Sequence, residues 1–156
     1  GGAARAILYA LLQRPEVEHV ALLNRTPEKA SALAAALDPQ GRRVTPGTLD
    51  ERAGELVRAT GLLINATAIG MSPHPDASPL PVPACLHPGM VVLDIVYNPL
   101  ETLLLRQAKQ AGAHPVDGLG MLARQGARAF EIWTGVKPPV EVMRAAALER
   151  LGKATP

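Results

Sequence analysis

Along the chain, apolar residues fall into short continuous runs that alternate with longer, periodically spaced stretches. Residues 3–14 (AARAILYALLQR) put Ile7, Leu8, Leu11 and Leu12 on one helical face, and residues 19–24 (HVALLN) form a brief apolar run closed by Asn24, the mark of a buried strand. "RTPEKASALAAALD" then carries helix punctuation: Thr26 as N-cap, Pro27 at the first position, alanine and leucine within. A brief strand is predicted around Val44 and a short helix over 50–59. A second buried strand opens "GLLINATAIGM" (61–71), and the proline-rich "SPHPDASPLPVP" links it to a third in "GMVVLDIVY" (89–97). The helix of "PLETLLLRQAKQAGA" ends in glycine, and a short extended piece follows at Pro115–Val116. "DGLGMLARQGARAFEIWTG" reads as a helix closed by Gly135, with Leu122, Gly126, Phe130 and Trp133 as its core face. A last helix begins at about 138, striped by Val140, Met143, Ala147 and Leu151.

Strands alternating with helices imply an α/β fold, a doubly wound parallel sheet of the Rossmann-like kind. No repeat, low-complexity tract or internal boundary interrupts it, so residues 1–156 read as one domain.

Composition narrows the function classes. The 156 residues are 47% hydrophobic and 19% charged, ordinary for a globular chain. A net charge of +2 spread along the sequence, with 3% aromatics, offers neither a basic stripe nor a stacking platform for nucleic acid. No apolar run reaches the roughly 20 residues of a membrane-spanning helix, no signal peptide is visible, and the expected compartment is the cytoplasm. Cys85 is the only cysteine and reads as a buried filler. The four histidines lack ligand spacing, so no metal site is expected, and no Ser-His-Asp set is present.

Ligands of parallel α/β sheets bind beyond the carboxyl ends of the strands, so the residues after each apolar run carry the chemistry. Gly1, Gly2 and Ala3 precede a helix, where backbone N–H groups can hold a pyrophosphate, although two glycines before a helix are common. Asn24 and Arg25 stand where NAD-binding domains usually place a carboxylate for the adenosine 2′-hydroxyl. An arginine there attracts a 2′-phosphate instead. Thr26 adds a hydroxyl, and Lys29 sits in a first helical turn whose dipole disfavours cations, a conflict that a bound anion would relieve. Simple solvation of Arg25 and Lys29 is the competing reading. Thr67, in "NATAIGM", suits close passage of a cofactor, while turn chemistry explains Asn65 and Gly70 equally well. Asp94 interrupts an apolar strand and needs a partner; an anchoring role for neighbouring amides is favoured. Tyr97 would point its hydroxyl into the crevice. Gly118 and Gly120 mark another close approach before a helix, and Met121 and Gln125 share a face on it. From spacing alone, Gln125 is a solvent-exposed amide.

Taken in order, "GGAARA", "NRTPEKA", "INATAIGM", "DIVYNPLET" and "DGLGMLARQGARAFEIWTG" resemble the NADP-binding half of the shikimate dehydrogenase family, from Gly1 to about Gly135. Departures are small: Ala68 and Leu103 stand where proline is commoner, and Lys29 where arginine often sits. The resemblance implies NADP-dependent interconversion of 3-dehydroshikimate and shikimate, a step of aromatic amino-acid biosynthesis. It assigns Gly1, Gly2 and Ala3 to the diphosphate loop and Asn24, Arg25, Thr26 and Lys29 to the adenosine phosphate site. Thr67 joins the cofactor set, Ile95 and Gly118 lie by the nicotinamide, and Tyr97 and Gln125 touch the substrate. A quinate/shikimate dehydrogenase paralogue, or a non-catalytic NADP-binding module, is the alternative.

The family's catalytic lysine and aspartate belong to an N-terminal substrate domain that these 156 residues do not contain, so no catalytic residue is named and the chain alone is expected to be inactive. The first strand of the Rossmann unit and the opening of its phosphate loop are also missing from the sequence. Gly1 therefore reads as a cut through a loop, and the functional protein is expected to be longer.

Overall fold

The computed structural model describes residues 1–50, 53–80 and 83–154, which divide into two compact units: 1–50 and 53–60 with 80 and 83–85, and 61–79 with 86–154. Elements α1 (Gly2–Leu12), β1 (Val20–Asn24), α2 (Pro27–Leu37), β2 (Val44–Thr48) and α3 (Ala53–Arg58) belong to the first unit, with a 3₁₀ turn at Pro83–Cys85. The second contains β3 (Leu62–Asn65), β4 (Val91–Asp94), α4 (Leu103–Gln110), β5 (His114–Val116), α5 (Leu119–Thr134) and α6 (Val140–Ala154). Every strand pairing is parallel, as the alternation of strand and helix requires. The strands form two sheets, β1-β2 and β3-β4-β5, where the sequence suggested one.

In the first unit the sheet runs from Val20 opposite Val44 to Asn24 opposite Thr48. Leu8, Ala34 and Val44 form its buried core, with Leu12, Val20, Leu22, Leu33 and Leu37 packed around them. Ala30 and Ala34, one turn apart, are buried where α2 lies on the two strands; their small side chains allow that approach. The start of β2 is set by polar groups that hydrophobic spacing does not reveal. Asp38 Oδ2 accepts from the backbone N–H of Arg43 at 2.7 Å and of Val44 at 2.8 Å. The Arg43 guanidinium donates to the carbonyls of Leu12 (2.8 Å), Arg14 (2.7 Å) and Val17 (Nε, 3.1 Å). The last carbonyls of a helix lack intrahelical donors, and Arg43 supplies one to Leu12, the final residue of α1, while also holding the segment that follows. The helix expected over 50–59 is shorter, and Glu51 and Arg52 of that span lie outside the described residues. Cys85 is buried beside Gly54, as the filler reading expects, and burial raises its thiol pKa.

In the second unit α4 packs on β4 and β5. This helix begins at Leu103, four residues after the Asn98-Pro99 start signal, because Thr102 caps it: extended at that residue (φ −72°, ψ 165°), it accepts the Leu105 N–H through Oγ1. Asp117, just before α5, accepts from the amides of Leu119 (3.0 Å) and Gly120 (3.4 Å), and its other oxygen meets Arg144 of α6 at 3.3 Å. Gly120 therefore lies inside the first turn of α5 rather than ahead of it. Gly135 closes α5 in the left-handed region (φ 71°), as expected.

The expected core face of α5 needs correction. Leu119, Ala123 and Ala127 are its buried residues, Leu122 and Gly126 are half-buried, and Phe130 and Trp133 are 41% and 81% exposed. Helical spacing identifies which residues share a face, not how far the surface opposite extends. The Met143 methyl of α6 covers Gly126, while the final turn of α5 carries its two aromatics into solvent. The stripe proposed for α6 holds: Val140, Met143, Ala147 and Leu151 are all half-buried.

Candidate functional site

At the carboxyl ends of β3 and β4, in the second unit, a cleft of about 410 Å³ opens between two loops. One wall is Ala66, Thr67, Ala68, Met71 and Ser72; the other is Ile95, Val96, Tyr97 and Asn98, with Met121 of α5 also lining the space. A parallel sheet puts its ligand crevice at this end of its strands.

Polar groups at the strand ends hold the walls. Asn65 and Asp94 are register partners on neighbouring strands, 4% and 0% exposed. Asn65 Nδ2 donates to Asp94 Oδ1 at 2.9 Å and to the Ile69 carbonyl at 3.3 Å. Its Oδ1 accepts both the Thr67 N–H (3.0 Å) and the Thr67 hydroxyl (2.7 Å), and Thr67 Oγ1 accepts the Ile69 N–H at 3.1 Å. Asp94 Oδ1 also accepts the Val96 N–H at 3.0 Å, while Oδ2 accepts the Thr102 hydroxyl at 2.7 Å. Burial raises the Asp94 pKa, and the hydrogen bonds from Thr102, Val96 and Asn65 oppose that shift. At the rim, Ser72 donates its N–H to the Asn98 carbonyl (2.9 Å) and its hydroxyl to Asn98 Oδ1 (3.4 Å).

Thr67 and Tyr97, marked by the strand-end argument, meet in one cleft with Ile95, which the resemblance supplied. Thr67 contributes mainly to the fold of its own loop, because its hydroxyl is already both donor and acceptor there. Gly118 is buried, and its close approach is to the protein itself. A Cβ at that position would stand 2.4 Å from the Ile95 carbonyl oxygen and 2.7 Å from that of Val96. Gln125 is exposed and lies one turn beyond Met121, outside the cleft lining. Asp94 has the anchoring role favoured from sequence.

In the first unit, Asn24 ends β1 and its Oδ1 accepts the Thr26 N–H at 2.9 Å, turning the chain into α2. Thr26 occupies the N-cap but its hydroxyl makes no cap bond, which differs from the capping expected. Arg25, Thr26 and Lys29 are exposed, and among the described residues no hydrogen bond or ion pair occupies the Thr26 hydroxyl or either basic side chain. Glu28 shares this first turn. Gly1 is the N-cap of α1, and Gly2 and Ala3 are its first residues; a side chain on either glycine would meet open space.

Sequence reasoning missed Thr102, Ser72, Asn98 and Met71. An aspartate within an apolar strand signals a buried partner, but nothing in linear spacing says that Thr102 supplies the hydroxyl. No cluster of three or more His, Cys, Asp or Glu is arranged for a metal, and no helix is long and apolar enough to cross a membrane, among the described residues.

Residues 118–148 match the model of the shikimate 5′-dehydrogenase C-terminal domain. Across 97% of the chain, the sequence is 48% identical to a shikimate dehydrogenase (NADP(+)) of Methanocella arvoryzae. Over most of its length the chain is similar to shikimate dehydrogenases. It spans about half the length of the curated relatives it matches, 54% in that case, and corresponds to their C-terminal portion. A crystal structure of a shikimate dehydrogenase in complex with NADP+ is 40% identical and superimposes with a TM-score of 0.84, covering 97% of this chain and 52% of the other. Quinate dehydrogenase from Corynebacterium glutamicum in complex with NAD is 31% identical with a TM-score of 0.85, over 96% of this chain and 52% of that one. The fold is accordingly the Rossmann-like α/β fold of these enzymes.

Proposed function

We propose that this chain is the cofactor-binding part of an NADP-dependent oxidoreductase that interconverts 3-dehydroshikimate and shikimate. The observation that carries the cofactor choice is the set of uncommitted donors where β1 runs into α2. Arg25, Lys29 and the Thr26 hydroxyl are exposed, and no carboxylate stands directly after the strand. A phosphate at a helix N-terminus is held by such cations together with the first-turn amides. The residues present fit the 2′-phosphate of NADP(H), and the 48% identity to an NADP-dependent relative supports the same reading.

Gly1, Gly2 and Ala3 would offer the α1 amides to the diphosphate, and Asn24 would hold the adenosine end. Thr67, Ile95 and Gly118 would flank the nicotinamide, Thr67 by shaping its loop and Gly118 by letting α5 approach Ile95. Tyr97 and Gln125 would touch substrate. When bound, the cofactor supplies or accepts the hydride. Ala66, Ala68, Ile95, Val96 and Met121 give the cleft apolar surface for its reactive end, and the Tyr97 hydroxyl is available to orient a hydroxylated substrate.

Quinate dehydrogenase is the second reading, favoured by a TM-score of 0.85 but set against 31% identity. Titration of the chain with NADP+ and NAD+ tests the proposal. Tighter binding of NADP+ is expected, and equal affinity for the two would overturn the site assignment. Residues 1–156 alone are expected to show no shikimate-dependent reduction of NADP+, since the described lining of the cleft holds no carboxylate, histidine or lysine to move a proton to substrate.

A further inference from the structure

Two loops that share no sequence neighbourhood form the cleft, so something must set the distance between them. The Ile95 N–H donates to the Asn65 carbonyl at 3.2 Å where the strands end, and at the rim Ser72 meets Asn98 through a 2.9 Å backbone bond and a 3.4 Å side-chain bond. A further link, made by side chains, is buried. Asp94 Oδ1 receives two donors at once: the Asn65 amide, which organises residues 65–69, and the Val96 N–H, which begins the opposite wall. Asp94 Oδ2 receives the Thr102 hydroxyl, and Thr102 is itself fixed as the cap of α4. No buried side-chain polar atom among the described residues is left without a partner, so the network is closed. A fully satisfied buried network of this kind rigidifies its surroundings, because any rearrangement would strand a donor at low dielectric.

We propose that Asp94 is a positioning residue for the nicotinamide end of the cofactor: acting through Asn65 and Val96, it sets the spacing of the two cleft walls without touching the ligand. The proposal rests on the NADP reading above for its ligand. Its geometry stands independently of that reading, and each can be tested separately.

The test uses the 156-residue chain, wild type and Asp94→Ala, which removes the acceptor from both walls, with Thr102→Val as a second variant and Thr102→Ser to restore the hydroxyl. Two probes are titrated: NADP+, and adenosine 2′,5′-bisphosphate, which carries the adenosine end alone. Asp94→Ala and Thr102→Val should weaken NADP+ about tenfold and change the bisphosphate by less than about twofold, with Thr102→Ser restoring NADP+ binding. Amide hydrogen exchange provides the cofactor-independent arm. In both variants exchange at Thr67, Ile69 and Val96 should accelerate together, while Ala123 and Ala127 in α5 keep their protection. Acceleration at Val96 alone, acceleration extending through α5, or equal losses for both probes would overturn the proposal. If wild type binds neither probe, the cofactor reading fails, and the exchange pattern still decides whether Asp94 couples the walls.

Discussion

A methyl group on Gly118 would stand 2.4 Å from the carbonyl oxygen of Ile95. That distance is far inside van der Waals contact, and the obstructing atom is backbone at the end of β4, unable to swing aside as a flexible side chain could. Gly118 also has an ordinary φ of −76°, so the requirement is for space and not for a special backbone conformation. Gly118→Ala should therefore destabilise the chain by about 3 kcal/mol, the upper end for overpacking against a rigid neighbour. Thermal or urea unfolding measures it. Gly120→Ala, whose Cβ would find its nearest neighbour at 3.9 Å, should be neutral or slightly stabilising, because alanine is the better helix former.

Asp94→Ala removes one acceptor group from three buried donors: the Asn65 amide, the Val96 N–H and the Thr102 hydroxyl. A loss on the order of 3 kcal/mol is expected by denaturant titration, with Asp94→Asn costing less because it keeps one acceptor oxygen. The pH dependence has a defined sign. Burial raises the carboxyl pKa above its unfolded value of about 4, so its contribution to stability is fully present below that pH and is lost as pH rises through the folded value. The stability of wild type relative to Asp94→Asn should fall over that rise. A difference that grows with pH would contradict it.

Asp38 behaves in the opposite sense. Backbone donors from Arg43 and Val44 hold its carboxyl below the ordinary aspartate value. Its stabilisation is therefore present above about pH 4 and is lost as pH falls through the lower folded value. Asp38→Asn should lower stability at neutral pH, where the wild-type carboxylate contributes fully, and flatten the acid limb, the difference from wild type closing as pH falls. Carboxyl NMR titration reads the same shift directly.

Arg25→Ala tests cofactor choice apart from stability. The side chain is exposed and has no partner among the described residues, so unfolding should change by less than about 0.5 kcal/mol. NADP+ affinity should fall about tenfold, the value of one charge-assisted hydrogen bond, while NAD+ affinity stays level. A parallel loss for both cofactors would place Arg25 elsewhere than at the 2′-phosphate.

Much of this protein was legible in one dimension. Short apolar runs specified the parallel strands, Gly135 the end of α5, and Asp94 the need for a buried partner, because burial and backbone geometry restrict residue types locally. The strand ends likewise marked Thr67 and Tyr97, and the family resemblance added Ile95; all three line the cleft. Tertiary structure alone decided that Thr102 caps α4 and closes the Asp94 network, that Gly118 makes room for Ile95, and that Phe130 and Trp133 face water. Each depends on which surface stands opposite a residue. Periodicity assigns a side chain to a face, and only packing between distant segments determines whether that face is covered, by which atoms, and with how much space to spare.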